Sequence, residues 1–431
     1  MNTLKIEKLV FGGQGLARLD NQVIFVWNAL PGEEVEYKIV KKKKDYAEAV
    51  TTKIIKASPD RIEAEEQEFL STSPWQIVSY ETENKWKKEI TEETYKKLGG
   101  EIFADLDIPL VYDDLDKNYR NKMEFSFTEL EDKSKSLAFF ERGGRRTFAV
   151  KGSILAEEII NEIAKYILDW VNENEISMRS LKSLIIRSNG QGQAIAALFI
   201  KDRLTFEEYP KLKNNLLGFQ VYYSTHKSPA SVPTALLYTT GQDYLKSEIN
   251  TSFPVPHSTF LKFGLLSFFQ IHMPIFQKCL SQIAKHIGKN EKVLDFYSGV
   301  GSIGLPLAKN CKNLTLVDNN EEAIEYSQEN IKLNKLKNVE SFCSPAEKIT
   351  ELITSDKILI VDPPRAGMHD KVTDRILQVL PPKIIYLSCN ISTQARDVKK
   401  LAGKYKIVDA SIYNFFPKTP HIEGLLILEL K

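Results

Sequence analysis

The 431-residue chain is poor in cysteine, with four in all, at positions 279, 311, 343 and 389. No two of them have C-x-x-C spacing, so neither a disulfide framework nor a zinc site is indicated. Nor does any apolar run approach the ~18 residues of a membrane helix. The start, Met1 to Lys8, carries charge where a signal peptide needs an apolar core. The expectation is a cytoplasmic protein with no membrane partner. An excess of charge is missing too: 58 basic and 57 acidic residues leave a net +1. Bulk charge therefore says nothing about nucleic acid, and an RNA surface would have to come from local segregation of charge. We find no internal repeat and no low-complexity tract.

What is present is a large apolar reserve, with 22 Phe, 17 Tyr and 4 Trp in a chain that is 42% hydrophobic, so disorder is not expected. The length suits two or three domains. Residues 1–57 read as a small OB-like β-barrel domain, with short runs such as Val23–Trp27 and Val35–Val40 broken at Gly12-Gly13-Gln14-Gly15, Asp20-Asn21 and Pro31-Gly32. Lys41–Lys44 follow at an expected loop, which is either a solvated turn or an RNA contact. Residues 58–250 read as a central α+β domain. It begins irregularly to about 75, and a charged helix at about 81–98 is a candidate to pack on the domain that follows. A strand is expected at Met123–Phe127, a helix at Ile154–Asn172, and a hairpin through Asn189-Gly190-Gln191-Gly192. From 251 to 431 strands alternate with helices: Lys292–Phe296 then a helix from Ile303, Leu314–Val317 then a helix Glu321–Leu333, Ile358–Val361, Ile384–Leu387. That is the rhythm of a doubly wound α/β, Rossmann-like sheet, whose ligands sit beyond the carboxyl ends of the strands.

The chemistry-bearing residues fall just after those strands. Asp295-Phe296-Tyr297-Ser298-Gly299-Val300-Gly301-Ser302-Ile303-Gly304 is a strand running into a glycine turn. Its spacing fits GxGxxG, so a dinucleotide remains open, whereas Asp295 inside the strand is more typical of an S-adenosylmethionine site. Asp318 ends the next strand and can accept ribose hydroxyls, or simply cap a helix. In Asp362-Pro363-Pro364-Arg365, two prolines hold the chain extended at the sheet edge, or form a plain turn. Cys389, in Ser388-Cys389-Asn390, is either a small buried hydrophobe or a thiolate nucleophile beside the same edge. His421 and Glu423 are acid/base candidates, though alone Glu423 would read as a surface carboxylate.

Together these motifs resemble the RNA uridine-C5 methyltransferases that carry an N-terminal TRAM domain. The resemblance covers nearly the whole chain, from Leu9–Gly15 and Leu30-Pro31-Gly32-Glu33 through Tyr119-Arg120-Asn121-Lys122 and Ser267-Phe268-Phe269-Gln270 to the Asp-Pro-Pro-Arg, Ser-Cys-Asn and Phe-Pro…His-Ile-Glu motifs. It implies that Cys389 is the nucleophile and Glu423 the base that removes the C5 proton. It also implies S-adenosyl-L-methionine as cofactor, bound near Gln270, Tyr297, Gly299, Gly301, Ser302, Asp318 and Asp362, with RNA binding by the TRAM domain. Several members hold an iron–sulfur cluster through four cysteines, and here Ala64–Gln76 has none, so no cluster is expected. Other departures are Asp318 for Glu, Ser298 for Cys, His272 for Asn and Asn414 for Asp.

The chemistry needs such groups. Uridine C5 is a poor nucleophile until a thiolate adds to C6, and a base must then remove the C5 proton so that the thiolate can leave. The base must be unstacked to be reached from both sides. Arg120, Lys122, Arg145 and Arg146 are candidate phosphate contacts or plain surface charges. The expected partner is RNA, with 23S ribosomal RNA favoured over transfer RNA, and the protein is expected to be a monomer. The competing readings are a non-catalytic RNA-binding protein on a methyltransferase scaffold and a dehydrogenase.

Overall fold

Alternating apolar residues near the start close onto one another as a six-stranded sheet. The computed structural model describes residues 3–20, 22–213, 215–229, 231–252 and 256–431. Met1, Asn2 and the Asn21 of the expected turn lie outside the described residues. The strands run in the order Thr3–Lys5, Glu34–Lys42, Tyr46–Lys56, Gln22–Trp27, Gly15–Leu19, Lys8–Leu9. Ile24 and Val26 pack on Ala17, Val35, Ala47 and Ala49. The lysine run departs from the expected loop, because Lys41 and Lys42 extend a strand and only the next residues turn. The partner strand makes this favourable by placing Glu48 2.7 Å from the Lys41 ammonium. Behind the sheet, the buried Glu33 carboxylate accepts two guanidinium N–H groups of Arg61, at 2.6 and 2.9 Å, tying the unit to the next segment.

Residues 64–76, the stretch without cysteine, are held by side chains. Gln76 Oε1 accepts the N–H groups of Glu65 and Glu66 at 3.1 Å, and its Nε2 donates to Ser73 Oγ at 2.6 Å and to Glu66 at 2.8 Å. The cysteines elsewhere do not fit a cluster: Cys279 and Cys311 are buried, Cys343 is exposed, and Cys389 follows a strand four positions away from that of Cys343 in the C-terminal sheet. Among the described residues no three His, Cys, Asp or Glu converge as metal ligands, and no helix is long and apolar enough to cross a membrane.

The central sheet has seven strands in the order Thr147–Val150, Lys135–Phe140, Lys122–Glu129, Leu181–Ser188, Ala194–Ile200, Leu216–Tyr223, Ala235–Gly241. The Glu158–Glu173 helix covers one face through Ile160, Ile163, Ile167 and Trp170. It starts four residues later than expected, since Ile154–Glu157 are taken up by turns and by the bridge between Arg120 and Ala156. A separate antiparallel pair, Tyr244–Thr251 with His257–Gly264, spans the expected boundary at 250/251 and joins the core of the C-terminal unit.

The C-terminal sheet has eight strands in the order Val339–Cys343, Asn313–Asp318, Lys292–Phe296, Lys357–Val361, Lys383–Ser388, Glu423–Leu430, Tyr405–Tyr413, Leu110–Val111. The first five are parallel. Glu423–Leu430 runs antiparallel to both neighbours. The edge strand Leu110–Val111 comes from within residues 58–250. The preceding Tyr80–Gly99 helix, capped by Ser79 Oγ accepting the Thr82 N–H, packs on the Ile391–Leu401 helix. The helix expected from Ile303 is one turn, Gly304–Leu307, followed by a 3-10 turn to Asn310, so the glycine turn meets a short helix rather than a long one.

Candidate active site

Parallel strands put their carboxyl ends on one edge, and Tyr297, Asp318, Asp362 and Cys389 follow directly after or end those strands. Glu423 arrives there for the opposite reason, since it begins an antiparallel strand. Ser388 pairs with Gly424, so Cys389 and Glu423 are the next residues outward on adjacent strands. The start of that strand is pinned. Gln394 Nε2 donates to Gly424 O at 3.0 Å and to Tyr386 O at 2.8 Å. A Cβ at Gly424 would stand 2.2 Å from Tyr95 Oη, so only glycine lets the two helices close over it.

The three acidic groups here crowd one another. Burial pushes the Asp362 carboxyl up to about 7. Burial first, then Asp362, raises Glu423 well above the usual carboxylate range, against the pull of Arg365. Burial, Glu423 and Asp362 push the Cys389 thiol up to about 11, and the Arg365 guanidinium, hydrogen-bonded to it, works the other way. Arg365 is therefore the cation that stabilises charge on the sulfur. Its loop is fixed from the following helix. Asn390 Nδ2 donates to Arg365 O at 2.8 Å, Thr393 Oγ1 to the same oxygen at 3.2 Å, and Arg396 to Ala366 O at 2.9 Å. Asp397 accepts from Met368 N–H at 2.9 Å and Tyr386 O–H at 2.8 Å.

On the other side of the edge lies the glycine turn. Tyr297 holds a φ of +64°, a conformation costing a non-glycine residue about 1–2 kcal/mol. Gly299 and Gly301 follow at +56° and +87°. Asp318 Oδ2 accepts the Gly299 N–H at 2.8 Å, and Oδ1 accepts the Asn320 N–H at 2.9 Å. Asp318 thus closes the turn as well as facing the edge. Above Gly299 the space is open, with the nearest atom to an added Cβ being Phe268 O at 4.0 Å. Asp295 is fully buried, both its oxygens lack a hydrogen-bond partner, and burial followed by Asp362 raises it well above the usual range. Ser302 is buried at the foot of the turn, and Gln270 is 4% exposed beside an outward-facing Phe268 that is 67% exposed.

A model of the tRNA (uracil-5-)-methyltransferase family matches residues 87–431, and a TRAM-domain model matches residues 2–52. The chain belongs to the tRNA (uracil-5-)-methyltransferase family. It is 29% identical to an uncharacterized RNA methyltransferase of Fusobacterium nucleatum, over 99% of this chain and 95% of that one. It is also 29% identical to an uncharacterized RNA methyltransferase of Aquifex aeolicus, over 99% and 98%. The solved structure of the Pyrococcus abyssi tRNA (uracil-54, C5)-methyltransferase in complex with S-adenosyl-L-homocysteine has the same fold, with a TM-score of 0.80 at 23% identity, covering 99% of this chain and 100% of that chain. Membership of an RNA methyltransferase family removes the dehydrogenase reading of the glycine turn.

Sequence reasoning passed over several residues of this site. Arg365 was visible only as the end of the Asp-Pro-Pro-Arg motif. Phe268 was visible as an aromatic beside Gln270. His421, by contrast, was an acid/base candidate from the sequence, and it is exposed, with its ring edge-on to Phe416 at 5.6 Å. Desolvation, then Arg365, Lys87, Arg120 and Arg142, push it down to about 4, so the imidazole is neutral at pH 7. Arg142 lies 4.0 Å over the Trp27 ring and donates to Leu70 O, joining the N-terminal unit to the central one. The expected phosphate contacts differ among themselves: Arg145 and Arg146 are exposed, whereas Lys122 is half-buried and pushed down to about 8, chiefly by burial.

Proposed function

We propose that the protein transfers a methyl group from S-adenosyl-L-methionine to C5 of a uridine in RNA through a covalent Cys389–C6 adduct. The observation that carries this reading is the antiparallel register that sets Cys389 beside Glu423, next to Asp362, at the carboxyl edge of the sheet. The methyl donor supplies an electrophilic methyl on sulfur. The residues at the glycine turn fit it: open space over Gly299, a carboxylate at Asp318, and the unpartnered buried Asp295, with Gln270, Tyr297 and Ser302 around them.

Each protein group then has a task. Cys389 loses its proton to a neighbouring carboxylate, and Asp362, at about 7, is balanced to take it near neutral pH. Arg365 holds the resulting sulfur anion. Sγ bonds to C6 of the flipped uracil, and C5 gains the electron density to take the methyl. Glu423, in its carboxylate form, removes the C5 proton, and the Sγ–C6 bond breaks to release 5-methyluridine; burial raises the affinity of that carboxylate for the proton it takes. Arg120 and Arg142, whose charges reach His421, are candidate phosphate contacts.

The Cys389→Ala enzyme should bind RNA and transfer no methyl, while Glu423→Gln should transfer it once and remain covalently joined to RNA. Labelled methyl donor and denaturing gels read both. Normal turnover by Cys389→Ala would end the covalent mechanism, and a wild-type protein that binds RNA without any transfer would favour the non-catalytic scaffold. Ribosomal RNA of the large subunit is the first substrate arm. Transfer RNA is the second, because the archaeal structure named for tRNA uracil-54 also spans the N-terminal unit, so that unit does not separate the two. Mapping 5-methyluridine in RNA from cells with and without the gene decides between them.

A further inference from the structure

The loop that carries Phe268 and Gln270 is built from outside the catalytic sheet. Arg187, on the Leu181–Ser188 strand of the central sheet, is 0% exposed. Its guanidinium donates to the carbonyls of Gly264 at 3.2 Å and Phe269 at 3.3 Å, and to that of Ser267. It also lies 4.8 Å over the Phe263 ring, which itself stacks on Phe269 at 4.0 Å. Among the described residues no carboxylate lies within ion-pair distance, and Nε has no partner. Burial pushes the group down to about 9, which leaves it charged at pH 7. Next to it on the adjoining chain, the buried Asn121 donates from Nδ2 to Gln270 O at 2.9 Å, and its own carbonyl accepts the Ser188 N–H at 2.8 Å.

A buried cation without a counter-ion in contact is costly, and here backbone carbonyls, the Phe263 and Phe269 ring faces and the more distant Glu322 charge offset that cost. That arrangement makes sense if the cation dictates the path of the loop. With the carbonyls of Gly264, Ser267, Phe269 and Gln270 turned toward the central unit, Phe268 is left facing outward at the mouth, and its own carbonyl lies over Gly299.

We infer that Arg187 and Asn121 are positioning residues for the methyl-donor site: the central unit folds the Phe268–Gln270 segment over the glycine turn, and donor affinity depends on that grip. This inference rests on the proposed reaction. Lysine at 187 cannot fork to several carbonyls at once, and its ammonium gives up its charge more readily than a guanidinium when buried. Asn121→Ser removes a single bond, that to Gln270 O, and leaves Arg187 in place.

The test is S-adenosyl-L-homocysteine binding by calorimetry on the full chain, with initial rates at varied donor and fixed RNA. Losing one such bond should weaken binding about tenfold. Both Arg187→Lys and Asn121→Ser should raise Kd and donor KM together by that order. At saturating donor, kcat should stay close to wild type and RNA KM should be unchanged. A merely structural role would lower Tm without this split. If Arg187→Lys fails to fold, Asn121→Ser carries the test. Unchanged donor affinity in the folded variants, with the wild type binding normally, overturns this inference alone. A wild type that ignores S-adenosyl-L-homocysteine overturns the proposed function along with it.

Discussion

Lys87 and Arg187 are both buried completely, and both come from outside the catalytic strands to brace a loop of the site. They are satisfied in opposite ways. Lys87 pairs with the buried Glu83 at 2.9 Å and donates to Asn414 Oδ1 at 2.6 Å and Phe416 O at 3.0 Å. Glu83 in turn accepts the Lys418 N–H at 2.9 Å. This network fixes the Asn414–Lys418 loop that leads to His421 and Glu423. Arg187 has carbonyls instead of a carboxylate, and fixes the loop that leads to Gln270. A side-chain partner can be deleted along with the cation, whereas backbone acceptors cannot. The Glu423 side of the edge therefore rests on a replaceable ion pair, and the Gln270 side on an irreplaceable set of backbone bonds.

The largest break in this comparison should come from Lys87→Met. It strands the buried Glu83 carboxylate, a loss of about 3–5 kcal/mol of stability. Urea unfolding reads the loss. The double change Glu83→Gln with Lys87→Met should recover most of it, since neutral groups then replace the pair. No recovery would mean that the pair is not the element holding the loop.

Arg365→Met should come next, now in activity. With the guanidinium gone, only burial and the two carboxyls act on the Cys389 thiol, and its pKa climbs above about 11. Each unit of climb costs about tenfold in thiolate at neutral pH. The kcat/KM profile should lose at least that factor at pH 7.5 and recover toward alkaline pH. An unshifted profile would remove Arg365 from the chemistry.

A smaller effect is expected from Asp362→Asn, and it concerns stability. The folded-state pKa of about 7 lies above the ordinary 3.8, so the folded protein binds more protons than the unfolded chain between those values. That contribution is fully present below pH 3.8, falls across the window above it, and is gone once pH has risen through 7. The variant lacks the slope, so it should melt a few degrees above wild type at pH 8 and alongside it at pH 4. Equal Tm differences at both pH values would place the shift elsewhere.

Much of the catalytic unit was legible because its signals are local. Apolar runs such as Leu314–Val317 and Ile358–Val361 can only be buried strands, and the helix Glu321–Leu333 has acidic residues at its start and Asn320 as its cap. The residues after those strands had to share an edge once the strands were parallel. Local signals were weaker elsewhere. Lys41 and Lys42 read as loop until Glu48 is seen across the hairpin. The helix expected from Ile303 came with no sign of its length, and it stops after one turn. The Tyr80–Gly99 helix reads as a charged helix that is a candidate to pack on the next domain, but the pattern does not tell which charges go inside: Glu83, Asn84 and Lys87 are buried, where Asn414 and the Phe416 carbonyl partner them.

The sequence by itself determined the strand-and-turn order, the glycine turn, the carboxylates and thiol that punctuate it, and the absence of cysteines from the stretch at 64–76. Only the tertiary structure decided that Glu423 starts an antiparallel strand and so meets Cys389, that Arg365 leans on the thiol, and that a central-sheet arginine shapes the Gln270 loop. The division has a physical cause. Strand and helix patterns depend on neighbours a few residues away. Pairing register and the desolvation of a charge depend on groups up to hundreds of residues apart, which meet only when the chain folds.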